Sequence, residues 1–384
     1  MQIPISKKIP PLIETTAFGV LDTYGRQASV PSGGDLALED VDGLCKFGLG
    51  PIAKTVADSA RIHVGDQAEK ELRSANLTAV VMSSERRKAA INVLEIAQQN
   101  GIAIVLLKGI YLSEVVYVEP HHRLMSDVDV LVREEHGLAL TELLKAAGFT
   151  ERSESNYETV ADHHHYPPLY HPGTNTAVEI HTRLFSLRGA DLDPVLSNKV
   201  TWDNLSAFDY RSNPCYTLST EYQLLYVISH WTLDPRWVTN ILSIVDVICI
   251  LRHFSSDFDW CQFDAWLLAN GWSRRSVSVL FVYLLEAKII EIPDSTQKIV
   301  FAEYKRVPWI NRSILYWLFR HYPASCKTNV GWSTAVNVRI LWRELQSSSF
   351  ARLRLVFALA KIVRRESGRF ATFALRTVGA TRPT

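Results

Sequence analysis

Residues 123–132 read Arg-Leu-Met-Ser-Asp-Val-Asp-Val-Leu-Val, and this stretch decides the fold. Side chains alternate faces along a strand, so Asp127 and Asp129 project one way and Val128, Val130 and Val132 the other. Two carboxylates held side by side raise each other's pKa unless a cation lies between them. A divalent metal with oxygen ligands is the usual remedy. For an isolated Asp-x-Asp the plainer reading is a solvated face over a buried one. The flanking sequence favours the metal.

Upstream, 102–107 (Ile-Ala-Ile-Val-Leu-Leu) is a short apolar run that reads as a buried strand, with Lys108-Gly109 at its end. A helix-like stretch follows over 110–118, and Glu119-Pro120 breaks it. Gly109 lets the backbone approach a ligand at the start of that helix. Unpaired amides and the positive end of the helix dipole suit phosphate oxygens there. Downstream, 177–184 (Ala-Val-Glu-Ile-His-Thr-Arg-Leu) alternates, with Glu179, His181 and Arg183 on one face and Val178, Ile180 and Leu184 on the other. Pro172-Gly173-Thr174-Asn175 is a turn signal, and 163–170 supplies a partner strand. That hairpin would bring Glu179 beside Asp127 and Asp129 as a third acid. Three carboxylates at one point suit two Mg²⁺ ions, with Mn²⁺ as the substitute, activating an attacking oxygen and stabilising a leaving pyrophosphate.

Strand, glycine turn, helix and Asp-x-Asp strand is the pattern of the nucleotidyltransferase superfold that includes DNA polymerase beta. More closely, Leu107-Lys108-Gly109, Arg123-x-x-Ser126-Asp127-x-Asp129-x-Leu131-Val132, Gly148-Phe149 and Val178-Glu179-Ile180-His181 resemble an uncharacterised bacterial nucleotidyltransferase family, NTP-transferase type 5. The resemblance spans residues 45–290, and its members occur near natural-product and exopolysaccharide gene clusters. It implies an α+β fold, a nucleotidyltransferase-type mixed sheet flanked by helical regions. The chain departs from the wider superfamily twice. Lys108-Gly109 replaces the common Gly-Ser or Gly-Gly, and Glu179 replaces the more frequent third Asp.

On this reading Asp127, Asp129 and Glu179 are the metal ligands, and Glu179 also helps take the proton of the attacking group. Lys108, Gly109, Arg123 and Ser126 form the nucleotide-binding set. Arg123 neutralises triphosphate charge or pairs with Glu119, Lys108 grips phosphate or merely caps a helix, and Ser126 braces the turn into the strand. His181, His163 and His165 are candidates for touching substrate or supporting the acids. Asp162-His163-His164-His165 invites a zinc reading, but neighbours on a strand face opposite ways, so only His163 and His165 converge. No Cys falls nearby and no structural zinc spacing is matched. Asp246, inside the apolar run Ile-Val-Asp-Val-Ile, needs a partner, so Asp246 and His230 are read as contacting each other or the active site.

With 41 basic and 40 acidic residues, the chain has no general affinity for nucleic acid. Its partners are an NTP and an unidentified acceptor. Basic residues gather in 341–384, where 350–363 mixes Arg and Lys with Leu, Val and Phe. Such an amphipathic segment packs on the domain or touches an anionic membrane surface or acidic partner. The 5 cysteines lack metal spacing and no signal peptide is evident, which predicts a reduced, cytoplasmic setting. No apolar run nears the ~20 residues of a membrane span.

The expected layout is an extended arm (1–34), a helical region (35–100), the catalytic core (101–190), a helical lobe (191–340) and the basic tail (341–384). Ser84 is expected to cap a helix over 84–99 that Asn100-Gly101 ends. The expected activity is transfer of a nucleoside monophosphate from an NTP to an acceptor hydroxyl or phosphate in natural-product or polysaccharide biosynthesis. Two rivals are kinase-like phosphoryl transfer at the same metals and a non-catalytic nucleotide-binding scaffold.

Overall fold

The computed structural model describes residues 35–306 apart from 37, 61, 153–163, 186–193, 234–240 and 270–271. The arm over 1–34, the tail over 341–384 and His163 lie outside the described residues. Described residues up to Trp231 and from Ile241 to Tyr304 form one structural unit, which contains the sheet and the site.

The chain enters through β1 (Asp35–Leu36), α1 (Leu38–Lys46), α2 (Gly50–Ala60) and β2 (His63–Val64), with β1 and β2 pairing in parallel. Next comes α3 (Asp66–Gln99), a single helix of 34 residues. Its N-cap is Gly65, and Asp66 and Glu69 in its first turn favour the positive dipole end. Ser84 therefore caps nothing; it lies mid-helix, where the continuous apolar stripe Leu72, Ala79, Ala90, Val93, Leu94 and Ala97 outweighs its weak preference for a cap. The stop is where the sequence puts it, with Asn100 as C-cap and Gly101 at φ +66°.

β3 (Val105–Leu106), α4 (Lys108–Val115), β4 (Asp127–Leu131) and α5 (Glu134–Ala146) follow, then β5 (Leu169–Tyr170) and β6 (Ala177–His181). After α6 (Asn198–Asp203) come β7 (Leu205–Tyr210) and β8 (Asn213–Leu218). Helices α7 (Thr220–Leu233), α8 (Ile241–His253), α9 (Trp260–Ala269), α10 (Trp272–Glu286) and α11 (Asp294–Arg306) complete the described chain.

Six strands form one mixed sheet in the order β5-β6-β4-β3-β8-β7. β4 is central, antiparallel to β3 and parallel to β6. Val128 and Val130 on β4 and Val178 and Ile180 on β6 are fully buried. Each contributes about 1.5–3 kcal/mol by leaving water, which pins the register and with it the face the acids occupy. A one-residue slip would bury both aspartates and expose both valines. The β7–β8 hairpin extends the sheet past residue 190, so the segment 191–340 contributes strands as well as helices.

Candidate metal and nucleotide site

Parallel pairing of β4 with β6 sets Asp129 directly opposite Glu179 and Leu131 opposite His181. The ligand atoms of Asp129, Glu179 and His181 all lie within 4.8 Å of one another. At such a separation two carboxylates repel by about 3 kcal/mol for an effective dielectric near 20. Burial and the neighbouring charges of Asp129 and Asp127 push Glu179 up to about 7. Burial, then Asp129, raises Asp127 as well. Asp129 goes the other way: burial opposes its charge, but Lys108, His181 and His230 together hold it well below the usual carboxylate range.

The partners are specific. His181 Nε2 lies 3.0 Å from Asp129 Oδ1 and 3.7 Å from Glu179 Oε2. Lys108 Nζ is 3.7 Å from Asp129 Oδ2 and 5.3 Å from the centre of the Tyr226 ring. Burial works against the Lys108 ammonium, yet Tyr226 and the carboxylates Asp129 and Asp127 win and hold it above the ordinary lysine value. Lys108 opens α4 with φ +35°, a left-handed conformation that a long side chain adopts only under constraint. That strain lies at the site itself. Asp127 shares the strand face with Asp129 but accepts a hydrogen bond from Ser126 Oγ at 2.9 Å and stays outside the tight cluster.

Histidines surround the acids. A β-bridge joins His165 to His181, and the rings of His164, His165 and His181 lie 4.7–5.2 Å apart, centre to centre. Burial, then His181, lowers His164 to about 3. His230 on α7 is also lowered well below its usual value by burial, and it feels Lys108 and Asp129. The strand rule had excluded His164, since neighbours on a strand diverge. Residues 164–168 pair only through the bridge at His165, so alternation does not hold there. Tyr226 had no signal beyond a helix-spaced aromatic.

Arg123 pairs with Asp246 rather than with Glu119. Its Nε and Nη2 bond the two oxygens of Asp246 at 3.1 and 2.8 Å, and its Nη1 donates to the Leu124 carbonyl. Tyr117 Oη donates to the same carboxylate at 2.6 Å. The partner that Asp246 requires is therefore Arg123, and a fork-to-fork pair satisfies both groups better than a lone imidazole. Gly109 is buried, and a Cβ there would come 2.8 Å from Met125 Cγ and 3.2 Å from Arg123 Nη1. Its smallness thus serves the seating of α4 on the 123–125 loop. Arg183 pairs with Glu134 rather than Glu179.

The mixed sheet thus carries acids on the adjacent strands β4 and β6, with Lys108 at the helix start that follows β3. The family described as uncharacterised nucleotidyltransferase matches residues 49–283, and the chain belongs to that family. Among solved structures, the crystal structure of an antigenic nucleotidyltransferase-like protein from Paracoccidioides brasiliensis is 17% identical. That likeness covers 52% of this chain and 94% of that one at a TM-score of 0.33, too slight to carry an argument. No curated protein matches the chain. Among the described residues no helix is long and apolar enough to cross a membrane.

Proposed function

We propose that the protein transfers a nucleoside monophosphate from an NTP to an acceptor hydroxyl or phosphate, with pyrophosphate leaving. The register that sets Asp129 against Glu179 on adjacent parallel strands carries this reading, and family membership supports the reaction class. Two half-buried carboxylates and a buried imidazole within 4.8 Å form a donor set that fits a divalent cation, Mg²⁺ or Mn²⁺. When bound, such an ion neutralises triphosphate charge and polarises the attacked phosphorus.

The protein's own groups do the rest. Asp129 and Glu179 hold the ion, and Asp127, on the same strand face and steadied by Ser126, adds a carboxylate within the same field. Lys108 contributes a permanent positive charge beside Asp129, and the start of α4 adds the positive end of its dipole. Because these charges are fixed in a largely buried setting before the reaction begins, they lower its barrier without reorganising. Arg123 positions the 123–127 loop from behind through Asp246.

The test is binding and turnover with each of the four NTPs and Mg²⁺ or Mn²⁺, comparing wild type with the double variant Asp127→Ala/Asp129→Ala. Metal-dependent NTP binding and pyrophosphate release, both lost in the variant, are expected. A nucleoside diphosphate in place of pyrophosphate would move the chemistry to the γ-phosphate. Unchanged binding in the variant would take the carboxylate strand out of the mechanism.

A further inference from the structure

Magnesium sites are built from oxygen ligands and water; imidazole nitrogen suits the first-row transition dications. Here one of the three clustered donors is nitrogen. His181 is 1% exposed, its Nε2 donates to Asp129 Oδ1 at 3.0 Å, a proton that a bound metal would displace, and its Nδ1 is buried without a hydrogen-bond partner. A second imidazole lies near Glu179, with His165 Nε2 4.0 Å from Oε2. His165 Nδ1 lies 2.9 Å from the Tyr166 carbonyl oxygen, which can only accept. Nδ1 therefore carries the proton in the neutral ring, and Nε2 presents its lone pair toward Glu179.

Distances separate the two imidazoles. Donor atoms that bind a transition metal at about 2.0–2.2 Å stand roughly 3–4 Å from one another. The observed separations are 3.0 Å for His181 to Asp129 and 3.7 Å for His181 to Glu179, whereas His165, 4.0 Å from Glu179, falls outside the group whose donor atoms all lie within 4.8 Å of one another.

We infer that the site takes a transition-metal dication of the manganese class in preference to magnesium, with His181 as its nitrogen ligand. The inference rests on the reading above that this cluster holds the dication.

The experiment is Mn²⁺ binding to the full chain by electron paramagnetic resonance, with Mg²⁺ as competitor and spin-echo modulation reporting directly bonded nitrogen. Mn²⁺ is expected to bind at least about tenfold tighter than Mg²⁺, with a clear imidazole signal. His181→Gln should remove that signal and bring the two affinities together, and His165→Gln should leave it in place. Because His181 is buried, circular dichroism should confirm folding of its variant, and the wild-type spectrum decides the matter if that variant fails to fold. Tight Mn²⁺ binding through oxygen alone, or equal affinity for Mg²⁺, overturns this inference and leaves nucleotidyl transfer standing. A wild-type protein that binds neither ion sinks both.

Discussion

Asp246 and Asp129 are carboxylates largely shielded from water, with side chains 2% and 11% exposed, yet their surroundings are opposite. Asp246 meets a bidentate Arg123 and the Tyr117 hydroxyl, so its charge is matched and its oxygens are occupied. Asp129 meets Lys108 and His181 but also faces Glu179 and the charge of Asp127. One acid is finished by the fold; the other is left in a group with surplus negative charge. A fold spends effort to balance a buried charge. Where it stops short, beside a strained Lys108, the imbalance marks the place that something else must complete.

The comparison can be broken most decisively at Asp246. Asp246→Ala strands a buried guanidinium, and urea unfolding should show a loss of about 3–5 kcal/mol. A loss below 1 kcal/mol would mean the pair is not structural. Asp129→Asn should lower turnover by about 10²–10³-fold, and because Lys108 and His181 hold the Asp129 charge in the fold it should also cost stability, though less than Asp246→Ala. If stability fell and turnover did not, the two acids would have exchanged roles.

His122 extends the contrast to a buried group kept neutral. It is fully buried, its Nε2 lies 2.8 Å from Thr55 Oγ1, and burial together with the His121 charge lowers it to about 4. The unfolded chain takes up this proton near pH 6.5, so between 6.5 and 4 the unfolded state binds more protons than the folded one. Stability is therefore full above pH 6.5 and declines as pH falls toward 4, by on the order of 2–3 kcal/mol from this residue. Denaturation across that window should show the slope, and His122→Gln should flatten it. Smallest is Glu179→Gln, which relieves like-charge repulsion and should stabilise the metal-free protein by about 1–2 kcal/mol in a thermal melt at pH 8. Destabilisation would show that His165 and His181 already balance the acid.

How much of this was legible depended on whether the signal was local. Alternation in 127–131 and 177–181 revealed both acid strands, their buried valines and the face on which Glu179 would meet Asp129. The β7–β8 hairpin was missed because its turn, Arg211-Ser212, holds φ at +53° and +68° without a glycine or asparagine. Asp209 compensates by accepting a hydrogen bond from the Ser212 amide at 2.7 Å, a device that leaves little trace in the sequence. At the site, the strand rule found Asp127, Asp129, Glu179 and His181. It could not find His164, which lies off the regular ladder, or Tyr226 from a helix far along the chain. Nor could it name Asp246 as the partner of Arg123, because nothing local points to an acid 123 residues away.

The order β5-β6-β4-β3-β8-β7 has a consequence for how the protein is made. As the chain leaves the ribosome, β3 and β4 emerge first and pair. The β5–β6 hairpin then joins the β4 flank, and the β7–β8 hairpin joins the β3 flank. Each arrival adds at a free edge, and no strand has to be threaded between two already paired. Asp129 and Glu179 can therefore come side by side before Tyr226 and His230, which lie later in the chain, reach Lys108 and Asp129.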